Sequence, residues 1–215
     1  MTKSQRIRFI IASVINITIF ALALYCLILF IKYILNGSED IRFRYFTNVS
    51  NLTVGLISLV NAVFLLICVI KGEVIYPKVL SIIKFMGLCM TTLTFFTVLF
   101  IIAPVAGFPY MYGEVRFITH LVIPLAGLLS YLFLEETTLF EWKYSLLGFL
   151  PFFIYSCVYI PNVIFLHNWP DLYHINTYGL WWLLVIGFYI GNFGVAQGFY
   201  FLKKLINKKV YKQEN

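Results

Sequence analysis

Residues 9–31 read FIIASVINITIFALALYCLILFI, and this stretch contains no charged side chain. A helix needs about 20 consecutive apolar residues to cross the hydrocarbon core of a bilayer, so the stretch is long enough to span a membrane. It is too long for the apolar part of a secretory signal peptide, and no small-residue cleavage site follows it. We therefore predict a retained transmembrane helix near the start of the chain.

The same pattern recurs along all 215 residues, of which 61% are apolar and only 12% are charged. A charge at mid-bilayer costs about 2.5 kcal/mol or more, so charged residues mark the connections between spans. The sequence predicts an all-α integral membrane bundle of six transmembrane helices, which forms a single domain over residues 1–215. The predicted spans are Phe9–Ile31, Phe46–Ile70, Val79–Pro104, Phe117–Leu134, Tyr144–Leu166 and Tyr178–Leu202.

The basic residues are divided unevenly between the two sides of this bundle. With a cytoplasmic N-terminus, that side collects twelve Lys and Arg residues, and the outer side keeps Lys32, Arg42, Arg44 and Arg116. Cytoplasmic connections carry an excess of Lys and Arg, so we predict that both termini are cytoplasmic. Lys84 is then expected to reach the inner headgroups. The net charge of +7 indicates anionic lipid, rather than nucleic acid, as the partner of the basic side chains.

Four glycines recur in the sixth span at intervals of four, three and four residues. They are Gly187, Gly191, Gly194 and Gly198. Small residues at this spacing let two membrane helices approach closely. Packing within the bundle is the preferred interpretation, and a homodimer formed through this face is the alternative.

The second span begins with an unusually polar sequence for a membrane helix, RYFTNVSNLT at residues 44–53. Thr47, Asn51, Ser58 and Asn61 are spaced by four, seven and three residues, which places them on one helical face. Polar groups that face lipid are costly, so this face is predicted to point into the bundle. Hydrogen bonding between helices would explain the face by itself, and a functional site is the alternative.

His120 is the one histidine that we place within a predicted span, in the segment RFITHLVIP at residues 116–124. Ionisable side chains inside a membrane are candidates for function, although a histidine bonded to a neighbouring hydroxyl would be purely structural. Pro124 has no N–H, so the carbonyl of His120 loses its helical partner and the helix is expected to kink there.

Spans two and four both run inward from the outer surface, which puts Thr47 and His120 at a similar depth. A histidine near a threonine can act as a general base, accepting the hydroxyl proton as the oxygen attacks a carbonyl carbon. Amide donors for a developing oxyanion are available from Asn48, Asn51 and Asn162.

Charged residues of the predicted outer connections surround this pair. Arg44 and Arg116 are candidates for contacts with a carboxylate or phosphate headgroup, although flanking arginines ordinarily anchor helix ends. Asp171 or Glu114 could orient the imidazole, as the third member of a serine triad does. We predict no metal site and no cofactor. His167, Asp171 and His174 have the spacing of ligands on a helix, but Pro170 interrupts this segment and no further ligand is evident.

The two segments resemble the androgen-induced gene family of membrane proteins, in particular its bacterial branch. The similarity covers most of the chain as a six-span pattern, and its specific part is RYFT at 44–47, SN at 50–51 and HLVIPL at 120–125. The resemblance implies a multi-pass hydrolase with Thr47 as nucleophile and His120 as its partner. Animal members of that family cleave esters of hydroxy fatty acids. Ser130 stands where the bacterial relatives often carry an acidic residue.

The sequence thus predicts a membrane-embedded hydrolase of lipid or fatty-acid esters, with its active site toward the outer leaflet of the cell membrane. Two other classes stay open. One is a non-enzymatic lipid-binding or sensing protein, and the other is a small proton-coupled transporter in which His120 titrates. For the hydrolase and for the lipid-binding protein, the expected partner is a membrane lipid or a lipid-like molecule.

Overall fold

A computed structural model describes residues 1–37, 44–135, 140–176 and 179–208. Six helices in this part are long and apolar enough to cross a membrane, which confirms the predicted all-α, multi-pass architecture. They are α1 (Lys3–Leu35), α2 (Phe46–Lys71), α3 (Lys78–Ala106), α4 (Glu114–Leu134), α5 (Trp142–Phe165) and α6 (Trp181–Ile206). Each predicted span coincides with one of these helices to within a few residues. Tyr178, where the sixth span was predicted to begin, and Arg42 lie outside the described residues.

Hydrogen bonds identify the end of the bundle that holds the N-terminus and the end of α6. The amino group of Met1 donates to the carbonyl of Gly72 over 2.8 Å, which places the N-terminus beside the connection between α2 and α3. Near the other end of the chain, Lys203 Nζ donates to the carbonyl of Glu135 over 2.5 Å. We call this the terminal end, and we call the opposite end, with the connections that follow α1, α3 and α5, the loop end.

α1 and α2 pack against each other along much of their length. Gly55 of α2 allows their closest approach, because a Cβ at this position would lie 2.5 Å from the Cβ of Ala23 in α1. Thr2 begins α1 with a capping box, in which its hydroxyl accepts from the N–H of Gln5 and its N–H donates to the Gln5 side chain. With 33 residues, α1 is about 50 Å long and exceeds the hydrocarbon core of roughly 30 Å.

Prolines interrupt the regular hydrogen bonding of α3 and α4. Since Pro124 offers no N–H to the carbonyl of His120, the bonding pattern widens there to a π-helical turn over Ile118–Val122. A second π-helical turn, Val98–Ile102, precedes Pro104 in α3. The helical hydrogen bonding is therefore irregular at His120, and the kink that we expect there stays a prediction. Turns of this kind concentrate at functional sites.

The glycines of α6 face away from the other described helices. A Cβ added at any of the four would have no atom of the described residues within 4 Å. The prediction that Gly187, Gly191, Gly194 and Gly198 pack within the bundle is therefore wrong. α6 comes close to α5 through a glycine of α5 instead, since a Cβ at Gly148 would lie 3.0 Å from the Cβ of Ala196. A homodimer through the outward glycines stays a prediction.

Replacing Gly55 with alanine should destabilise the protein, because two Cβ atoms would meet 2.5 Å apart and neither can rotate away. We expect a loss of about 1–3 kcal/mol in the free energy of unfolding, as at other overpacked sites. The loss should appear as a lower melting temperature of the purified protein in detergent. Gly191→Ala is the matched control, since its added methyl group meets open space. Equal melting temperatures for Gly55→Ala and the wild type would contradict the packing of α1 on α2 described above.

Candidate functional site

A cavity of about 70 Å³ lies toward the loop end, between α2, α3, α5 and α6. Most of its wall is carbon, from side chains such as Leu93, Val185 and Phe188. The polar residues of the wall carry hydroxyl groups, and they include Thr47, Thr94, Thr97, Tyr155, Ser156 and Tyr159. Pockets that are mostly apolar with a few fixed polar groups are typical of sites for small apolar ligands.

Two tyrosines fix the start of α2 beside this cavity. The first N–H groups of a helix have no partner within the helix, and here the N–H of Phe46 donates to the hydroxyl of Tyr173 over 2.8 Å. The hydroxyl of Tyr155 donates to the carbonyl of Arg44 over 2.6 Å. The Phe46 ring packs on Tyr155 with the ring centroids 5.0 Å apart. Burial raises the pKa of Tyr173 to about 12, so its hydroxyl stays neutral.

Thr47 lines the cavity from the first turn of α2, where it is half-buried. Its carbonyl accepts from the hydroxyl of Ser50 over 2.9 Å and from the amide of Asn51 over 2.7 Å. Its own hydroxyl forms no hydrogen bond with another residue in the described ranges. The Thr47 hydroxyl is therefore available to a ligand in the cavity.

His120 is buried in the π-helical turn of α4. Its Nδ1 lies 2.9 Å from the carbonyl oxygen of Met111, in the one-turn helix Phe108–Met111 between α3 and α4. A carbonyl can only accept, so Nδ1 carries the proton and Nε2 is left as the acceptor of the neutral ring. This tautomer is the one that a general base needs at Nε2.

Thr47 and His120 are linked through Asn51 and not directly. The Asn51 amide donates to the carbonyl of Thr47 over 2.7 Å and to that of Thr119, the residue before His120, over 3.0 Å. In the described part of the chain, no hydrogen bond joins the Thr47 hydroxyl to the His120 ring, and His120 is not among the residues that line the cavity. Asn51 thus bonds α2 to α4, as expected if the polar face of α2 serves hydrogen bonding between helices.

The other asparagines predicted to support an oxyanion lie apart from the cavity. Asn48 lines a second, much smaller cavity of about 10 Å³, against α1, together with Asn51 and Thr119. That volume is close to the space of a single water molecule. Asn162 donates to the carbonyl of Val158 in its own helix over 2.8 Å and lines neither cavity.

The charged residues at the loop end are bound by their neighbours, the two arginines by aromatic rings and Asp171 by backbone N–H groups. The guanidinium of Arg44 lies 5.3 Å from the centre of the Trp169 ring. The guanidinium of Arg116 lies 3.9 Å from the centre of the Tyr110 ring and donates to the Tyr110 hydroxyl over 3.0 Å. Asp171, a candidate for orienting His120, accepts from the N–H groups of residues 175 and 176 in its own connection. The imidazole of His120 is oriented by the carbonyl of Met111 and not by Asp171.

The structure also contains a polar cluster that the sequence did not indicate. Lys84, which was predicted to reach the headgroups, is 1% exposed, so that prediction is wrong for this structure. Its ammonium lies 3.8 Å from a carboxylate oxygen of Glu135, which is also fully buried. Ser58 of α2 accepts from the same ammonium over 3.2 Å. The polar face of α2, which includes Ser58 and Asn61, predicted polar contacts inside the bundle but not a charged partner for them.

Comparisons with protein-family models, with curated proteins and with solved structures find no match for the chain. The functional conclusion therefore depends on the site itself. At the loop end, the site combines an apolar cavity, an unpaired threonine hydroxyl and a buried histidine whose Nε2 is an acceptor.

Enlarging Val185 to phenylalanine should reduce the binding of an apolar ligand, because this side chain lines the cavity. We expect the affinity of the purified protein for a fluorescent fatty acid to fall about tenfold, equivalent to about 1.4 kcal/mol. Ile186→Phe is the matched control, since the neighbouring Ile186 is 48% exposed on the outer side of α6. If both variants bind the probe as the wild type does, the cavity is not the place where apolar ligands bind.

Proposed function

We propose that the chain is a membrane-embedded hydrolase of lipid or fatty-acid esters, with Thr47 as nucleophile and His120 as general base. The observation that carries this proposal is the unpaired hydroxyl of Thr47 in the wall of an apolar cavity. An ester substrate matches such a wall, because its acyl chain is apolar and its single polar group needs only one polar edge.

The fit of the acyl chain follows from the composition of the cavity wall. Each methylene group moved from water into apolar surroundings contributes about 0.8 kcal/mol. A lipid that is already dissolved in the bilayer gains less free energy in this way, because its acyl chain has already left water. Discrimination between lipids therefore comes from the hydroxyl groups of the wall, which contact the polar part of the ligand. The ester carbonyl then lies at the Thr47 edge of the cavity, and the chain extends along Leu93, Val185 and Phe188.

Catalysis begins with transfer of the Thr47 hydroxyl proton to Nε2 of His120. As the proton leaves, the Thr47 oxygen attacks the ester carbonyl carbon and forms a tetrahedral intermediate. The intermediate collapses, the alcohol departs with the proton from His120, and an acyl-threonine remains. Water then attacks this ester, again with His120 as the base, and releases the fatty acid.

Without a ligand, the side chains of Thr47 and His120 are not in contact through a hydrogen bond, and substrate binding has to bring them together. No direct hydrogen bond joins the two side chains in the described structure, so they must approach each other when the cavity is occupied. Catalytic hydrogen bonds are often long in the free enzyme and tighten in the complex. The π-helical turn that carries His120 supports such a movement, because its hydrogen bonds are already irregular.

The location of the site follows from the charge distribution of the chain. With the basic terminal end in the cytoplasm, the loop end faces the outer leaflet of the cell membrane. Arg44 and Arg116 flank the site there and are suited to contact lipid phosphate or carboxylate groups. Both already lie on aromatic rings, which holds their guanidinium groups at the helix ends.

A second candidate, a lipid-binding protein without catalysis, is favoured by one specific observation. Both N–H groups of the Asn51 amide are used by carbonyls, so this side chain offers no donor to an oxyanion in the free state. Under this alternative, the cavity holds an intact lipid. Lipid that copurifies uncleaved after long incubation would distinguish it from the hydrolase.

Thr47→Ala and His120→Ala should each abolish labelling of the purified protein by a fluorophosphonate that carries a long alkyl chain. Alanine at position 47 removes the nucleophile, and alanine at position 120 removes the base that activates it. Labelling is read by fluorescence after gel electrophoresis, and the labelled residue is identified by mass spectrometry.

Thr97→Ala is the control for this experiment. Thr97 also contributes a hydroxyl to the cavity wall but has no proposed role in the reaction, so its variant should be labelled like the wild type. Thr47→Ser should retain part of the labelling, because it keeps the hydroxyl group. Undiminished labelling of Thr47→Ala, or a label on another residue in the wild type, would refute the assignment of the nucleophile.

A further inference from the structure

The terminal end of the bundle contains a buried ion pair that the proposed hydrolase does not use. Lys84 of α3 donates to Asn16 of α1 over 2.5 Å and to Ser58 of α2 over 3.2 Å. Its ammonium lies 3.8 Å from Glu135 at the end of α4. Ser58 follows Thr47 by eleven residues, about 16 Å along α2, so this cluster is separate from the cavity at the loop end.

Glu135 is held at this position from several directions. One of its carboxylate oxygens, Oε1, accepts from Asn16 over 2.8 Å and from Ser130 over 2.8 Å. Lys203 of α6 holds its main chain by donating to the Glu135 carbonyl over 2.5 Å. The carboxylate therefore has a fixed orientation, and only Oε1 is involved in these bonds.

Three buried polar atoms beside the pair have no hydrogen-bond partner among the described residues. They are Oε2 of Glu135, Nδ2 of Asn61 and Oγ of Ser81. Asn61 lies one turn from Ser58, and Ser81 lies one turn from Lys84. Because α2 and α3 are antiparallel and Lys84 bonds Ser58, Asn61 and Ser81 both lie on the terminal-end side of Lys84. Buried polar atoms normally have partners, so three together indicate a binding place for a small polar species.

A purely structural ion pair would not account for this arrangement. Buried ion pairs are often no more stabilising than well-packed apolar side chains of similar size. A structural cross-link would also require every member of the network to be satisfied. Instead, Oε2 of Glu135, the one carboxylate of this cluster among the described residues, has no hydrogen-bond partner there. Ionisable groups buried in membrane helices are common elements of proton pathways.

We propose that Glu135 and Lys84 form a proton-binding site that opens to the terminal end. A hydronium ion reaches the pair past Asn61 and Ser81. A lone pair of Glu135 Oε2 forms the new O–H bond, and the hydronium ion leaves as water. The step transfers one proton and no electrons, and it converts the carboxylate into a neutral acid.

Protonation of Glu135 removes the counter-charge of Lys84. A single buried ammonium is costly, so Lys84 leaves the cluster. Lys84 lies less than two turns from the start of α3, so its four-carbon side chain can carry the ammonium to the headgroups. Lys203 stays in place, because its partners include the main-chain carbonyls of Tyr131 and Glu135, which do not titrate.

Among the described residues, five titratable groups lie near Glu135 or near its neighbour Tyr76. They are Lys84 from α3, Lys203 from α6, Tyr131 from α4, Cys68 from α2 and Tyr76 from the connection before α3. Burial, together with the nearby charge of Glu135, raises the pKa of Tyr76, so its hydroxyl stays neutral and donates to Asn61. α1 contributes only the amide of Asn16 to the cluster.

Infrared difference spectroscopy tests proton uptake directly, with the full chain reconstituted in vesicles of phosphatidylcholine and phosphatidylglycerol. As the pH is lowered, wild-type protein should gain a carboxylic-acid carbonyl component at the high frequency of an acid in apolar surroundings. Glu135→Gln should lose this component. Glu141→Gln, at an exposed glutamate of the same end, should keep it.

If Glu135→Gln does not fold, Glu135→Asp should retain the component at a shifted frequency. A component that is absent from the wild type, or unchanged in these variants of Glu135, would overturn the proposal.

Chemical acetylation tests the release of Lys84, with Glu135→Gln as a mimic of the protonated state. We expect Lys84 to react with a water-soluble acetylating reagent several-fold faster in this variant than in the wild type, as measured by mass spectrometry. Lys203 is the internal control, since it is equally buried and should stay protected in both proteins. Equal protection of Lys84 in both proteins would overturn its release. A rise at Lys203 that matches the rise at Lys84 would also overturn it, because the whole bundle would then have loosened.

Discussion

The core of a bilayer offers no water to a polar side chain, so each polar group placed there needs a partner inside the protein. In this bundle several of the partners come from other helices, while many hydroxyls bond a carbonyl of their own helix. Asn51 joins α2 to α4, Asn16 joins α1 to the end of α4, and Lys203 joins α6 to the same place. These bonds determine which helix faces meet, because a rotation of any helix would leave a donor or a charge in lipid. α4 is the common partner of all three, and it also carries His120.

The same constraint separates two polar regions with different chemistry. Toward the loop end, neutral hydroxyls such as Thr47 border an apolar cavity, which is suited to a lipid and to attack on an ester. Toward the terminal end, Lys84 and Glu135 form a charged cluster that is suited to a proton. Buried apolar residues, Val54 in α2 and Leu88 in α3, lie between the two regions. Apolar packing therefore separates the two regions.

Much of the fold could be predicted from the sequence, and less of the site. Apolar length determines where helices cross a membrane, so the six spans were predicted closely, and the effect of Pro124 on the carbonyl of His120 is local. Lys84 was misplaced because its partner Glu135 is 51 positions away in the sequence, and no local pattern reveals a pair at that separation. The glycines of α6 were misread for a related reason: spacing indicates a face that allows close packing, but not which helix uses it. The bond between His120 and Met111 depends on a one-turn helix between spans, which apolar periodicity does not detect.

The pairing of Lys84 with Glu135 gives the most direct test of the view that polar bonds between helices hold this bundle together. Chemical unfolding in detergent would compare the wild type with Lys84→Met and with the double variant that adds Glu135→Gln. The single change leaves a buried carboxylate without its cation, and we expect it to lower the free energy of unfolding by about 3–5 kcal/mol. Adding the second change should recover most of that loss. A double variant that is less stable than Lys84→Met would contradict the account.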